Sequence, residues 1–229
     1  NGNLAFPSTP GSSSALNFGS SAGSANITVA LAGDLSISDA QANLYANVTF
    51  NGTGSQSVAK SAGVVSTGTW TVNKASGTLT PTTTLTITSD LTVTAGTFNQ
   101  DTYAVSFGAM TINGGTFTGG SQSITCTSFT QSSGTFTSTS GTMTINGGAF
   151  NRTGGTFTHN SGTVVFAGNG NNNTTGTGSR VLINPSVDHI VTSVTGPDTA
   201  TVARPYLINW TVKNIGYNPG PGYYSQWLD

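Results

Sequence analysis

The chain has 229 residues, a formal net charge of −1 and only 6% charged residues, against roughly 25% in an ordinary soluble domain. Glu is absent, and six bases (Lys60, Lys74, Arg152, Arg180, Arg204, Lys213) face seven acids (Asp34, Asp39, Asp90, Asp101, Asp188, Asp198, Asp229). This balance supplies no basic stripe for nucleic acid and no polybasic patch for a membrane surface. No apolar run reaches the length of about 18 residues needed for a spanning helix, and the single cysteine, Cys126, excludes an internal disulfide and a Cys-based zinc site.

Residues 1–25 are rich in Ser and Gly, with isolated apolar residues at Leu4, Phe6, Leu16 and Phe18. They are expected to form a flexible terminus or a capping and assembly segment. No signal peptide heads the chain, so the sequence reads as a mature form or an internal fragment. Thr, Ser, Gly and Asn stand where charges normally do, a composition that also suits disorder. Regular placement of the apolar residues argues for folding instead. Thr favours pleated, half-buried strands, and Gly and Asn favour turns.

From residue 26 to about 170 the sequence repeats. One column of residues is Leu79, Phe98, Phe117, Phe136 and Phe157, with steps of 19, 19, 19 and 21. A second is Val105, Ile124, Met143 and Val164; a third, two residues on, is Phe107, Cys126, Ile145 and Phe166. All three absorb the same two-residue insertion in the same unit, which marks a structural period. Upstream, Val29 precedes Val48 by 19, Val48-Thr-Phe50 precedes Val105-Ser-Phe107 by 57, and Asp34-Leu-Ser-Ile-Ser precedes Asp90-Leu-Thr-Val-Thr by 56. These spacings predict seven or eight units, with loose register between Phe50 and Leu79.

Inside each unit apolar and small polar residues alternate with period 2, as in Leu91-Thr-Val93 and Ser123-Ile-Thr-Cys-Thr127. Breakers such as Asn113-Gly-Gly115 and Asn146-Gly-Gly148 lie between. Strands so short do not stand alone as hairpins. Coiling resolves this: each unit becomes one turn of a parallel β-helix, with equivalent residues stacked about 4.8 Å apart. Apolar rows then fill the interior and hydroxyl rows the exterior, where a column of like charges would repel itself. A hairpin-built β-sandwich needs turn signals every 8–12 residues or so, which the 19-residue period contradicts. The expected fold class is all-β: a parallel β-helix over 26–180, followed by a partial Ig-like sandwich over 187–229.

Asn169–Gly178 reads as a linker leaving the last coil. Beyond about residue 181 prolines appear (Pro185, Pro197, Pro205, Pro219, Pro221) with longer apolar strands. Val191-Thr-Ser-Val-Thr-Gly-Pro197, followed by Ile208-Asn-Trp-Thr-Val-Lys-Asn-Ile-Gly216, resembles the opening of a CARDB domain, an Ig-like adhesion-related module of bacterial and archaeal surface proteins. The resemblance implies a surface-protein context, and it covers less than half of such a domain. Later strands are missing, so either the chain continues past Asp229 or another molecule completes the sandwich by strand addition. Residues 1–25 are the candidate donor. Val48–Gln56 and the Ile-Asn-Gly-Gly-x-Phe units are similar to β-helical repeats of bacterial surface adhesins.

Chemistry is sparse. Asp90 and Asp101 are expected on different faces, and Asp34 and Asp90 in one column but too far apart for a carboxylate pair. Arg152 and His159 have no acid in their coils. Asn replaces the periodic Asp of calcium-binding repeats. Cys126 reads as a small core hydrophobe, and His159 and His189 as turn or surface residues. Sequons begin at Asn26, Asn47, Asn51, Asn151, Asn172, Asn173 and Asn209, most of them expected by chance in such a composition. No catalytic, metal or cofactor residue is predicted, and the chain is expected not to be an enzyme.

Three functional expectations follow. The leading one is a structural or adhesive extracellular protein on a cell surface or in a secreted filament, whose partner is another copy of itself, head to tail, or further domains of a longer chain. The second is a glycan-binding or glycan-cleaving β-helix with a groove lined by Trp70, Tyr103 and Asp101. The third is a passive stalk. Nucleic-acid binding and membrane insertion are not expected.

Overall fold

The computed structural model describes residues 2–7, 17–18, 27–147, 149–167, 172–174, 189–195, 206–214 and 226–228; for 17–18, 66–67, 172–174 and the strands beyond 188 it describes the backbone alone. The chain divides into two units, Asn1–Ser179 and Arg180–Asp229. Every regular element among the described residues is a strand.

The first unit is a parallel β-solenoid of about six turns. Its coils contribute to three faces. The first face stacks Thr28–Leu31, Asn47–Phe50, the opening halves of Thr69–Pro81, Asp90–Asn99, Ala109–Thr118 and Ser128–Thr137, then Phe150–Arg152 and Asn172–Thr174. The second face stacks Leu4–Phe6, Leu35–Ile37, Gln56–Lys60, the closing halves of the same four long strands, and Thr156–Thr158. The third face is in two pieces. Asn17–Phe18, Asn43–Tyr45 and Val64–Thr67 form one, and Leu85–Thr86, Val105–Ser106, Ile124–Cys126, Thr142–Ile145 and Thr163–Phe166 the other. Thr88 links the pieces: its N–H and hydroxyl donate to Val65 O at 3.4 and 3.1 Å.

Glycine forms the corner between the first two faces. Gly77, Gly96, Gly134 and Gly155 precede the Thr-Phe or Thr-Leu pair of their coils with φ of 77°, 74°, 73° and 75°. Only glycine adopts such angles without strain, so one long strand can serve two faces.

All three sequence columns are rows of this solenoid. Leu79, Phe98, Phe117, Phe136 and Phe157 are register partners. So are Val105, Ile124, Met143 and Val164, and Cys126, Ile145 and Phe166. Val29 pairs with Val48 as its spacing requires. Two upstream equivalences are corrected. Val48 pairs with Trp70, Trp70 with Leu91 and Leu91 with Met110, so three coils from Val48 lead to Met110 and not to Val105, which lies on the third face. Leu35 lies on the second face and Leu91 on the first, so their Asp-Leu motifs are not equivalent. The cause is coil length: steps of 23, 22 and 21 separate Leu35 from Val58, Val48 from Trp70 and Trp70 from Leu91. Six turns run from Val29 to Phe150, and the solenoid has about six turns against the seven or eight units expected over 26–170.

Part of the N-terminal segment belongs to the stack. Leu4–Phe6 lies parallel to Leu35–Ile37, and Phe6 is buried. These residues, part of the segment read as a flexible terminus or as a capping and assembly segment, are paired within the solenoid itself. Apart from residues 2–7 and Asn17–Phe18, the segment 1–25 falls outside the described residues, as does most of the predicted 169–178 linker.

One apolar core runs along the interior. The rings of Phe98, Phe117, Phe136 and Phe157 stack with centroids 5.1, 4.9 and 5.2 Å apart and planes inclined by 9°, 24° and 22°. Fully burying one such side chain contributes about 1.5–3 kcal/mol.

In the second unit His189–Thr195 pairs antiparallel with Tyr206–Asn214, which pairs antiparallel with Gln226–Leu228.

Candidate functional site

Two of the acids serve the backbone. Asp34 Oδ1 accepts the Ser57 N–H at 2.7 Å, and Asp90 Oδ1 accepts the Ala109 N–H at 2.7 Å. Asn47 Oδ1 takes the Thr69 N–H, and Asn3 Oδ1 the Asp34 N–H, each at 2.8 Å. Each is a staple from one coil to the next, made where a strand begins and a donor would otherwise lack a partner. Asp34 and Asp90 do not share a column, because they open strands on different faces. Among the described residues no group of three His, Cys or acidic side chains gathers to hold a metal.

The Trp70, Tyr103 and Asp101 groove is not assembled. Trp70 is fully buried, edge-on to Phe50 at 5.4 Å, with its Nε1 lacking a hydrogen-bond partner. Asp101 is exposed at a turn with φ of 55°, and Tyr103 is half-buried beside it. Trp70 fills an inward position that Leu91 and Met110 fill in later coils.

Cys126 is fully buried between Phe107 and Ile145 positions of the stack, and burial pushes its thiol up to about 12. His159 sits at an exposed turn, where its Nδ1 accepts the Ser161 N–H at 3.0 Å. Arg152 does have a polar partner: its Nε donates to Gln131 Oε1 at 3.0 Å, and its guanidinium lies 5.4 Å over the Phe157 ring. His189 and the sequons at Asn26, Asn172, Asn173 and Asn209 have no described side chains.

Sequence reasoning missed a set of buried polar plugs. Gln56 donates from Nε2 to Leu31 O at 2.9 Å and to Gly33 O, while its Oε1 accepts from Gly52 N–H and from Lys74 Nζ at 3.0 and 2.6 Å. Lys74, 1% exposed, also donates to Gly52 O at 2.6 Å, and burial lowers its pKa. Gln100 reaches the carbonyls of Tyr103, Gln122 and Ser123. Gln131 reaches those of Gly134 and Thr156. These side chains satisfy turn carbonyls that point inward at the corners. Their sequence signal was a polar residue two places after an inward apolar one, as in Phe98-Asn-Gln100 and Phe129-Thr-Gln131.

Outside, the hydroxyls form rows. On the first face Thr49, Thr71, Thr92, Thr111 and Thr130 are successive register partners, all half-buried. On the third face Thr86, Ser106, Thr125 and Thr144 do the same. The second face carries two such rows. The fold and surface therefore define a class: a three-faced parallel β-solenoid with a charge-poor, hydroxyl-bearing exterior. Comparisons of the chain with family models, with curated proteins and with solved structures gave no match.

Proposed function

We propose that the chain is a structural component of an extracellular surface assembly, with the solenoid as a rigid spacer and the C-terminal unit as a CARDB-like docking module. The observation that carries this reading is the use made of polar groups in the solenoid. Asp34, Asp90, Asn47, Gln56, Gln100 and Gln131 each tie the chain to itself. Side chains committed in this way rigidify a stack of coils. An exterior poor in charge also lets copies lie close with little like-charge repulsion.

The resemblance of residues 191–216 to a CARDB opening supports the surface location and a sandwich completed by further strands, from a second copy or from a longer chain. A filament built by such head-to-tail contact is the heterologous kind that does not close. Negative-stain microscopy of native material tests it: filaments are expected, and dispersed monomers rule the filament out. Intact mass of the native chain then separates a subunit from a stalk within a longer polypeptide.

A further inference from the structure

The second face differs from the other two in being a two-dimensional array. Thr78, Thr97, Thr116, Thr135 and Thr156 are aligned as successive register partners. Two residues on, a parallel row holds Thr80, Asn99, Thr118, Thr137 and Thr158. Nine of these ten positions are Thr and none is charged. The corresponding ten positions on the first face include Asn47, Asp90, Ala109 and Ser128, leaving six Thr. Strand propensity alone would enrich Thr on both faces equally. The concentration on one face therefore asks for a reason specific to that face.

The array is regular in both directions. Along the solenoid the strands repeat at about 4.8 Å, and alternate residues along a strand repeat at about 6.7 Å. The Phe row directly beneath gives an independent measure of the axial repeat, with centroids 5.1, 4.9 and 5.2 Å apart and nearly parallel planes. The register shifts in these strands all fall before the Thr-Phe-Thr triplets and none within them. Thr is stiff about χ1, and from Thr78 to Thr137 the array residues are half-buried against one another. Hydroxyls and methyls are thus held on a fixed grid.

We propose that this face binds ice. The two repeats of the grid lie close to the oxygen repeats on a prism face of hexagonal ice. Water held between the two Thr rows would keep that order, anchored by hydroxyls and confined by methyls. No charge has to be desolvated on contact. The face offers no platform for a crystalline polysaccharide, because the aromatic rings of this face, Phe98, Phe117 and Phe136, are buried. The proposal goes beyond the structural reading and does not depend on it, since a spacer that ignores ice remains a spacer.

The test uses the full chain in two assays, partition into slowly growing ice and arrest of ice recrystallisation. The wild type is expected to enter the ice and arrest recrystallisation. Thr116→Lys, at the centre of the array, is expected to reduce both by roughly tenfold or more, as for a central residue of a binding patch. Thr111→Lys, on the first face of the same coil, should leave both unchanged. Circular dichroism and melting temperature of both variants are read alongside, and Thr137→Lys replaces Thr116→Lys if the latter does not fold. Exclusion of the wild type from ice overturns the proposal, as does equal loss in Thr111→Lys. Retention on crystalline chitin or cellulose together with exclusion from ice overturns it in favour of a polysaccharide surface.

Discussion

At the scale of single residues, Lys74 is the least ordinary feature of the interior. Its ammonium is held by two neutral oxygens, Gly52 O and Gln56 Oε1, and burial lowers its pKa from 10.5. The folded state therefore releases this proton before the unfolded state does. Stability is reduced at pH below the folded value and recovers as pH rises toward 10.5. Lys60 is lowered by burial too and acts with the same sign. Cys126, raised by burial, acts with the opposite sign above 9.0, so the test is a difference: the wild type's urea midpoint should gain on that of Lys74→Met as pH rises toward 10.5, and a midpoint difference independent of pH would contradict the buried ammonium. Gln100→Leu tests the corner plugs. It strips a donor from the carbonyls of Tyr103 and Gln122 and an acceptor from the Gly120 N–H, at a cost of about 1–3 kcal/mol. Cys126 offers a third measurement. Buried, with its thiol raised to about 12, it should resist alkylation at neutral pH until denaturant opens the coils, and rapid labelling of native protein would refute its place in the core.

At the scale of elements, the row and the corner are the units that matter. Phe117 packs between Phe98 and Phe136, at 5.1 and 4.9 Å. Phe117→Ala should cost about 3–5 kcal/mol in denaturant unfolding, because neighbouring coils cannot collapse onto the gap. Thr125→Ala, on an outward row, should cost less than about 1 kcal/mol. Gly134 tests the corner: with φ of 73°, and its Cβ position 2.9 Å from Gly114 C, alanine there is strained by about 1–3 kcal/mol. The inward rows were legible from residue 79 onward because equal coil lengths make the period visible. Before residue 79 the rows exist but coil lengths change, as from Val48 to Trp70 and from Trp70 to Leu91. A fixed spacing then lands on the wrong face, as it did for Val105. The plugs were not legible because a glutamine at an inward position breaks the apolar pattern and reads as the end of a strand. Alternation turns Gln100 and Gln131 inward, and only the corner geometry supplies the carbonyls they bind.

At the scale of the whole molecule, the solenoid's stability is a sum of coil terms and coil-to-coil terms. Removing residues 97–115 joins Gly96 to Thr116 and excises one 19-residue turn in register. The shortened protein should keep its β-sheet circular dichroism and cooperative melting, whereas removal of residues 97–106 should abolish both by misaligning every later row. In the second unit the described strands are antiparallel, in contrast to the parallel ladders of the first, so the compositional break near residue 181 marks a change of architecture.

By itself the sequence determined the period, the parallel stacking and the identity of the inward rows. These follow from local alternation and from like residues recurring at equal distances, and both are properties of one dimension. The tertiary structure alone decided which face each row occupies, which acids are staples, that Trp70 lies in the core, and that two Thr rows share one face. Those depend on where the chain turns. Turns are set by glycine corners and coil lengths that vary independently of the apolar pattern.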